Sequence, residues 1–231
     1  MAVFWLAWTV VPLRVVFDTR VGVAGWTYDQ SLLVVGFFVT LKGLLDTFVE
    51  PNLRSVVEQV RMGTLDFTLL KPVDAQLMIS TTKTMPAKLF HVVGGVGLLF
   101  YASGQLPQPP SIGSVIWAFL LLSSGLACIY SLWLAVVSLA FFFVRIDNLS
   151  YVLESVLDAG RWPVDLYRGG LRFVFTFVVP VGLMTTYPSL ALLGNLSAGD
   201  GMLSIVVSFV FLFLSRQIWE FALARYSSAS S

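Results

Sequence analysis

The side chains with the clearest potential for chemistry are charged residues inside apolar segments. Lys42 and Asp46 stand four residues apart in one such segment, and Arg216 and Glu220 repeat the spacing near the C-terminus. Residues at i and i+4 share a helix face, so each couple could form an ion pair or line a polar pathway. Arg14, in the first apolar segment, is predicted to be unpaired within its own helix and to snorkel outward.

Groups typical of catalysis are sparse. His91 is the single histidine and Cys128 the single cysteine, and neither stands in a cluster with metal-ligand spacing. The sequence contains no G-x-x-x-x-G-K-[ST] motif and no serine elbow, and no basic run that would track nucleic-acid phosphates. We therefore expect no catalytic residue, metal or cofactor in this chain.

The composition indicates the environment in which these residues act. Apolar residues make up 57% of the 231 positions and charged residues 12%, and the mean hydropathy is +0.85. Soluble domains carry roughly 25% charged residues, so this chain requires lipid around it. The prediction is an all-α integral membrane protein with a single transmembrane domain over residues 1–231.

Six segments are long and apolar enough to be predicted as transmembrane helices. The segment 112–144 is interpreted as one long helix because a second crossing there would move basic residues outside. The six segments are 2–17, 31–49, 87–103, 112–144, 171–187 and 203–221.

Basic residues in the connecting segments predict the orientation. Segments 50–86 and 145–172 hold eight of them, whereas 18–30, 104–111 and 194–202 hold Arg20 alone. Cytoplasmic loops carry the excess of Lys and Arg. The loop 50–86, a second element at about 145–170 and the C-terminus are therefore predicted to be cytoplasmic.

Prolines interrupt the fifth predicted span. Pro180 and Pro188 remove helical hydrogen bonds, and irregular backbone at membrane depth is tolerated where it is buried in protein or lines a cavity. Either a re-entrant hairpin on the external side or an ordinary proline kink fits this pattern.

The loop 50–86 is far longer than a simple turn requires. Asn52 is predicted to cap an amphipathic helix that ends near Gly63, with Leu53 on its apolar face and Arg54 on its polar face. An apolar-acidic strip, L-D-F-T-L-L-K-P, follows from residue 65 to residue 72. Such a loop is suited to docking a partner, although its helix could also lie on the membrane surface.

A second charged segment precedes the proline-rich span. Asp158 and Arg161 fall on one helix face and lead into Trp162 and Pro163. This segment is interpreted either as a second docking point or as a surface helix held by its own charge pairs.

These strings resemble one family. G-T-L-D-F-T-L-L-K-P-V-D at 63–74, A-G-R-W-P-V-D-L-Y-R-G-G-L-R at 159–172, T-F-V-V-P-V with Tyr187-Pro188, and the ending A-R-Y-S-S-A-S are similar to one branch of the ABC-2-type permeases. The similarity extends over nearly the whole chain, and the strings are fairly specific in combination.

The resemblance implies a function beyond the pattern itself. The chain would be the membrane subunit of an ATP-driven exporter in a bacterial-type inner membrane, paired with a second permease chain and lipid. ATP and Mg would bind separate ATPase subunits. The alternative is a stand-alone secondary transporter or channel.

The site residues follow from both the pattern and the resemblance. Lys42, Asp46, Pro180 and Pro188 would belong to the pathway or the re-entrant segment. The second cytoplasmic contact would be Asp158, Arg161, Trp162 and Pro163. The coupling residues that dock the ATPase would be Arg54, Glu58, Arg61, Gly63, Leu65, Asp66, Leu69, Leu70, Lys71 and Pro72.

Overall fold

Helices make up the regular structure of the protein. The computed structural model describes residues 2–18, 22–142 and 147–226, and within them the only strand-like pairing is one isolated bridge between Val23 and Trp26. Arg20 and Arg145, which entered the charge count, lie outside the described residues. The predicted all-α membrane fold is confirmed, since four described helical segments are long and apolar enough to cross a membrane. These segments are Tyr28–Met62, Pro86–Gly104, Ile112–Phe141 and Ala198–Leu223.

Twelve α-helices are numbered in chain order over the described residues. Two π turns and four short 3-10 turns extend or join them. The helices are α1 Ala2–Asp18, α2 Tyr28–Leu44, α3 Glu50–Met62, α4 Asp66–Leu69, α5 Ala75–Thr81, α6 Leu89–Gly104, α7 Ile112–Ser138, α8 Asp147–Leu157, α9 Gly170–Phe173, α10 Val181–Met184, α11 Thr186–Leu192 and α12 Ala198–Leu223.

The central element is the continuous helix formed by α2, a π turn and α3. A capping box starts it, because the Thr27 hydroxyl accepts from the Gln30 backbone while the Gln30 side chain accepts from the Thr27 backbone. The most apolar stretch of this helix is 78% buried inside the protein, whereas the corresponding stretches of the other three segments are 17%, 33% and 22% buried. A helix that is apolar all round is a buried helix, so α2 forms the core and the outer helices present their apolar faces to lipid.

The π turn at Leu45–Val49 allows this helix to continue past Pro51. Proline has no backbone N–H for the carbonyl four residues earlier, which is that of Thr47. That carbonyl accepts instead from the Met85 N–H at 3.0 Å. The predicted cap at Asn52 is therefore wrong: Asn52 lies inside a continuous helix. The predicted end near Gly63 is confirmed, with Gly63 in the left-handed conformation at φ 66°.

Close helix packing depends on small residues at two positions. A Cβ at Gly95 of α6 would lie 2.4 Å from the Thr40 hydroxyl of α2, and one at Gly125 of α7 would lie 2.9 Å from the Met184 Cα. Any larger residue there would force the helices apart. These contacts fix α6 against α2 and α7 against α10.

The bundle has two ends. We call the end that carries residues 62–86 the loop end, and the end that carries residues 165–200 the hairpin end. Trp26 precedes α2 at the hairpin end, where its indole N–H donates to Asp165 at 3.2 Å. At the loop end, Tyr226 lies beside Asp66 just after α12 ends. The C-terminal end of α12 and the loop 50–86 thus lie at the same end, as predicted.

The fifth of the six segments predicted to run between the two ends of the bundle differs from the prediction. We call the segment found in its place the fifth pass. Glu154 of α8 binds Arg54 near the loop end, Arg161 lies over the Phe38 ring midway along α2, and Asp165 binds Trp26 at the hairpin end. Residues 154–165 therefore run antiparallel to the α2–α3 helix. The pass predicted at 171–187 is wrong. The 3-10 turns Asp158–Arg161 and Val164–Leu166 replace a regular helix, so hydropathy and helical periodicity do not reveal this pass.

Candidate docking surface and charge network

Exposed apolar side chains form a strip at the loop end, which we call the docking strip. Leu70 is 81% exposed and Phe67 is 70% exposed, although an apolar side chain of this size is normally buried in protein or in lipid. The strip begins at the last residue of α3 and continues along the loop after Gly63 into α5. Its members are Met62, Phe67, Leu70, Val73 and Leu77.

A buried anchor holds the strip in place. The Leu65 side chain is fully buried in the core, and its backbone N–H donates to the Gln59 carbonyl of α3 at 3.3 Å. The Gln59 side chain in turn accepts from the Thr68 hydroxyl at 3.1 Å. Leu69 is half-buried against the core. The strip therefore has an inner face that fastens it to α3 and an outer face that is open.

The predicted coupling residues divide between these two faces. Leu65 and Leu69 face inward and position the strip, and Gly63 makes the turn that starts it. Asp66 is half-buried. The exposed ones are Glu58, Arg61, Leu70, Lys71 and Pro72.

Asn52 of α3 binds the backbone of Lys83 near the other end of the loop. Its side-chain amide donates to the Lys83 carbonyl at 2.6 Å and accepts from the Lys83 N–H at 2.7 Å. Asn52 is 1% exposed, so both bonds are shielded from water. Together with the Thr47–Met85 bond, this pairing ties the end of the loop that precedes α6 to the central helix.

Arg54 belongs to a charge network inside the chain. Its guanidinium contacts Glu50 at 3.1 Å and also binds Glu154, and it lies 4.9 Å from the centre of the Tyr151 ring. Glu154 and Tyr151 belong to α8. The predicted docking role of Arg54 has no support in this arrangement, because the side chain joins α3 to the fifth pass.

The predicted Lys42–Asp46 pair is present on the central helix. The Lys42 ammonium lies 3.1 Å from the Asp46 carboxylate, and the Lys88 ammonium lies 3.9 Å from it. Asp46 is 7% exposed. A buried carboxylate with two cationic neighbours is compensated, so this cluster joins α2 to the start of α6 near the loop end.

The second predicted contact lies within the bundle, away from the loop end. Pro163 is buried, Trp162 packs against the core, and Arg161 lies 5.6 Å from the centre of the Phe38 ring of α2. Asp158 pairs with Arg161 at 2.9 Å. The described contacts of these residues are all within the chain, in the fifth pass, and the cytoplasmic contact stays a prediction.

The predicted break at the prolines is present. Residues 170–192 form α9, a π turn at Val174–Val178, α10 and α11, and the helix is interrupted at Val179 and Pro180. Pro188 lies in the first turn of α11, where its missing N–H leaves no hydrogen bond unmade. The hairpin packs on α7 and α2. It borders a cavity of about 590 Å³ whose polar lining includes Asp165, Arg172, Tyr187, Asn195 and Asp200.

One contact at the loop end could not be found from the sequence. Arg216 pairs with Glu220 at 2.6 Å, as the spacing predicts, but it also binds Asp74, with bonds of 3.0 and 2.6 Å. Asp74 accepts from the Leu77 N–H and so caps α5. The cap could be read from the sequence, whereas the pairing joins residues 142 positions apart.

The prediction that Arg14 is unpaired within its own helix is wrong. Its guanidinium lies 3.4 Å from Asp18 in the same helix and 5.4 Å from the centre of the Tyr28 ring. The residue expected to be unpaired thus has both an anionic and an aromatic neighbour.

In the ranges that the structure describes, no group of three His, Cys, Asp or Glu side chains could hold a metal ion.

Comparison with known proteins gives one match. The sequence model of a family described as "ABC-2 family transporter protein" matches residues 3–230. No curated protein and no solved structure matches the chain significantly. The match covers nearly the whole chain, including the docking strip, the fifth pass and the hairpin.

Proposed function

Because this chain belongs to the ABC-2 family of transporter proteins, we propose that it is the permease subunit of an ATP-driven exporter and that its docking strip binds a separate ATPase subunit. ATP and Mg bind that partner. The substrate pathway forms between this chain and a second permease chain. The loop end faces the cytoplasm in this proposal.

The exposed docking strip is the observation that supports the proposal most strongly. Phe67 and Leu70 project from a loop whose backbone is fixed by Leu65 and Gln59. Exposure of these apolar side chains to water is therefore unfavourable in the isolated chain. Lys71, which follows Leu70 in the chain, and Glu58 of α3 are exposed. An apolar centre with a charged rim is the usual composition of a protein interface.

The helix behind the strip offers a route for coupling. α3 continues without interruption into α2, which is the most buried helix of the four long segments. A displacement of the strip by the ATPase therefore moves the central helix directly. The Arg54–Glu154 pair carries the same displacement to the fifth pass, which ends beside the cavity at the hairpin end.

Copurification tests the partner. The tagged chain is extracted from its native membrane in mild detergent, and all retained polypeptides are identified by mass spectrometry. We expect a stoichiometric ATPase with a Walker A motif. A second permease in the same eluate would distinguish a heterodimer from a homodimer. An eluate without any ATPase, which nevertheless shows proton- or sodium-driven flux after reconstitution, would contradict the proposal and favour the stand-alone transporter.

A substitution in the strip tests the site. Leu70→Asp places a charge at the centre of the proposed interface, and we expect retention of the ATPase to fall at least about tenfold, as for a central interface residue. Thr84→Asp is the matched control, because it adds the same charge at an exposed position of the same loop outside the strip. Equal retention by both variants would remove the strip from the interface.

A further inference from the structure

We propose that Arg216 is a positioning residue that couples the docking strip to α12, so that movement of the strip is transmitted along α12 to the cavity at the hairpin end. The inference rests on the proposed function for its direction of transmission. The contacts that carry it are independent of that function.

The first contact is a charge-assisted pairing with the part of the loop that lies between Val73 and Leu77 of the strip. Both carboxylate oxygens of Asp74 accept from the Arg216 guanidinium, at 3.0 and 2.6 Å, and the side-chain amide oxygen of Gln76 accepts from it at 2.9 Å. A guanidinium bound by two oxygens of one carboxylate is fixed in orientation as well as in distance. Asp74 therefore follows any rotation or translation of α12.

The second contact extends the attachment to α7. The Tyr130 hydroxyl accepts from the Gln76 amide at 3.0 Å and lies 2.8 Å from the Ser80 hydroxyl. α5 is thus bonded to both α7 and α12, which pack closely along their length. At the other end of that pair, a Cβ at Gly201 would lie 2.5 Å from the Trp117 ring. The two helices therefore move as one unit.

The third contact holds the start of the strip. The Tyr226 hydroxyl is buried near the Asp66 carboxylate, and this burial together with the negative charge raises the pKa of Tyr226. Asp66 and Asp74 lie on either side of Leu70 within the range of the strip. Both therefore lie against the C-terminal part of the same helix.

The far end of α12 lies at the cavity. α12 is 26 residues long, which corresponds to roughly 39 Å. Asp200 in its first turn lines the cavity together with Asp165 and Arg172. A shift at Arg216 consequently changes the position of a charged group in the cavity lining.

The variant Asp74→Asn removes the ionic pairing with Arg216 and preserves the local fold of α5. Asparagine caps helices as well as aspartate does, so α5 keeps its cap while the ionic bonds to Arg216 are lost. Glu220→Gln is the matched control, because it removes the other carboxylate on Arg216 and leaves the strip untouched. Each variant is purified as the full chain in lipid nanodiscs.

Amide hydrogen exchange measures the positioning without any partner. We expect exchange in residues 66–77 to be about tenfold faster in Asp74→Asn, equivalent to about 1.4 kcal/mol less protection, and unchanged in Glu220→Gln. Equal exchange in both variants would overturn the proposal, whether or not an ATPase copurifies.

Transport measures the consequence in the assembled complex. We expect Asp74→Asn to retain the ATPase and its hydrolysis rate but to transport roughly fivefold less substrate per ATP, since a transmission step is lost. Wild-type transport per ATP in this variant would overturn the transmission. Absence of an ATPase from the wild-type complex would instead contradict the proposed function, so the two failures are distinguishable.

Discussion

The segments 62–77 and 158–166 both mix apolar, proline and charged residues, but the first lies on the surface of the bundle and the second runs through it. Leu70 in the first is 81% exposed, whereas Val164 in the second is 7% exposed. In the first, Leu65 and Leu69 face inward and hold the segment against the core. In the second, backbone groups bind partners in the hairpin: the Gly160 carbonyl accepts from Thr185, and the Val164 N–H donates to Thr186.

The comparison teaches that charge density alone does not place a segment at a surface. Arg161 in the second segment pairs with Asp158, and Arg172, six residues after its end, pairs with Asp165 at 3.0 Å. Compensated charges are tolerated within a bundle, although uncompensated ones are not. Counting basic residues treats both kinds alike, which is why 145–172 was predicted to lie beside 50–86.

The largest expected effect comes from placing a charge in each segment. Val164→Asp buries a carboxylate that has no partner, and we expect a loss of about 3 kcal/mol or more and little folded protein. Leu70→Asp places the same charge in water, and we expect an unchanged melting temperature. Fluorescence-detected size exclusion after heating measures both. Equal tolerance of the two substitutions would place Val164 at a surface and contradict the fifth pass.

The hydrogen bonds between Asn52 and the Lys83 backbone predict the second-largest loss of stability. Asn52→Ala leaves the backbone N–H and carbonyl of Lys83 without their buried partner, and we expect a loss of about 1–3 kcal/mol. Thermal unfolding in detergent measures it. Gln59→Ala, which removes one hydrogen bond to the strip, should cost less. A larger loss for Gln59→Ala would mean that Asn52 does not close the loop.

The Arg54 network predicts a smaller change. Arg54→Gln leaves Glu50 and Glu154 without their cation, and we expect about 1–2 kcal/mol of destabilisation because the guanidinium is partly exposed. Glu58→Gln, at an exposed position of the same helix, should change the stability by less than about 0.5 kcal/mol. If Arg54→Gln were equally mild and instead released the ATPase, Arg54 would be a docking residue, as the sequence first suggested.

The smallest effect is a pH dependence at Asp74. Binding to Arg216 lowers the pKa of this carboxyl from its ordinary value of 3.8. A lowered pKa stabilises the fold above the ordinary value, and that contribution is lost as the pH falls through the lowered one. Wild type should therefore melt above Asp74→Asn at pH 7, with the difference disappearing as the pH falls below 3.8. A difference that grows on acidification would contradict the pairing.

Local features of the fold were accessible from the sequence because they depend on neighbouring residues. The Lys42–Asp46 and Arg216–Glu220 pairs follow from i,i+4 spacing, and the turn at Gly63 follows from glycine's tolerance of positive φ. The break near Pro180 follows from proline's missing donor. The four long apolar helices follow from length and hydropathy.

The features that were missed depend on distant partners. Asn52 looked like a cap because it follows Pro51, but the π turn keeps the helix continuous and the Lys83 backbone uses the amide. The fifth pass is built from α8 and two 3-10 turns, so it is not one long apolar helix of the kind that hydropathy detects. The Arg216–Asp74 pair joins two segments that only the folded bundle brings together.

Cysteine accessibility across the membrane tests the central claim most directly. Leu70→Cys and Arg168→Cys are made separately in a Cys128→Ala background, and sealed right-side-out membrane vesicles are treated with a membrane-impermeant maleimide. The structure places the two positions at opposite ends of the bundle. Labelling of Cys at 168 alone, with position 70 reacting only after permeabilisation, is the predicted result. Labelling of both positions from the same side would contradict the fifth pass and restore 145–172 to the side of the docking strip.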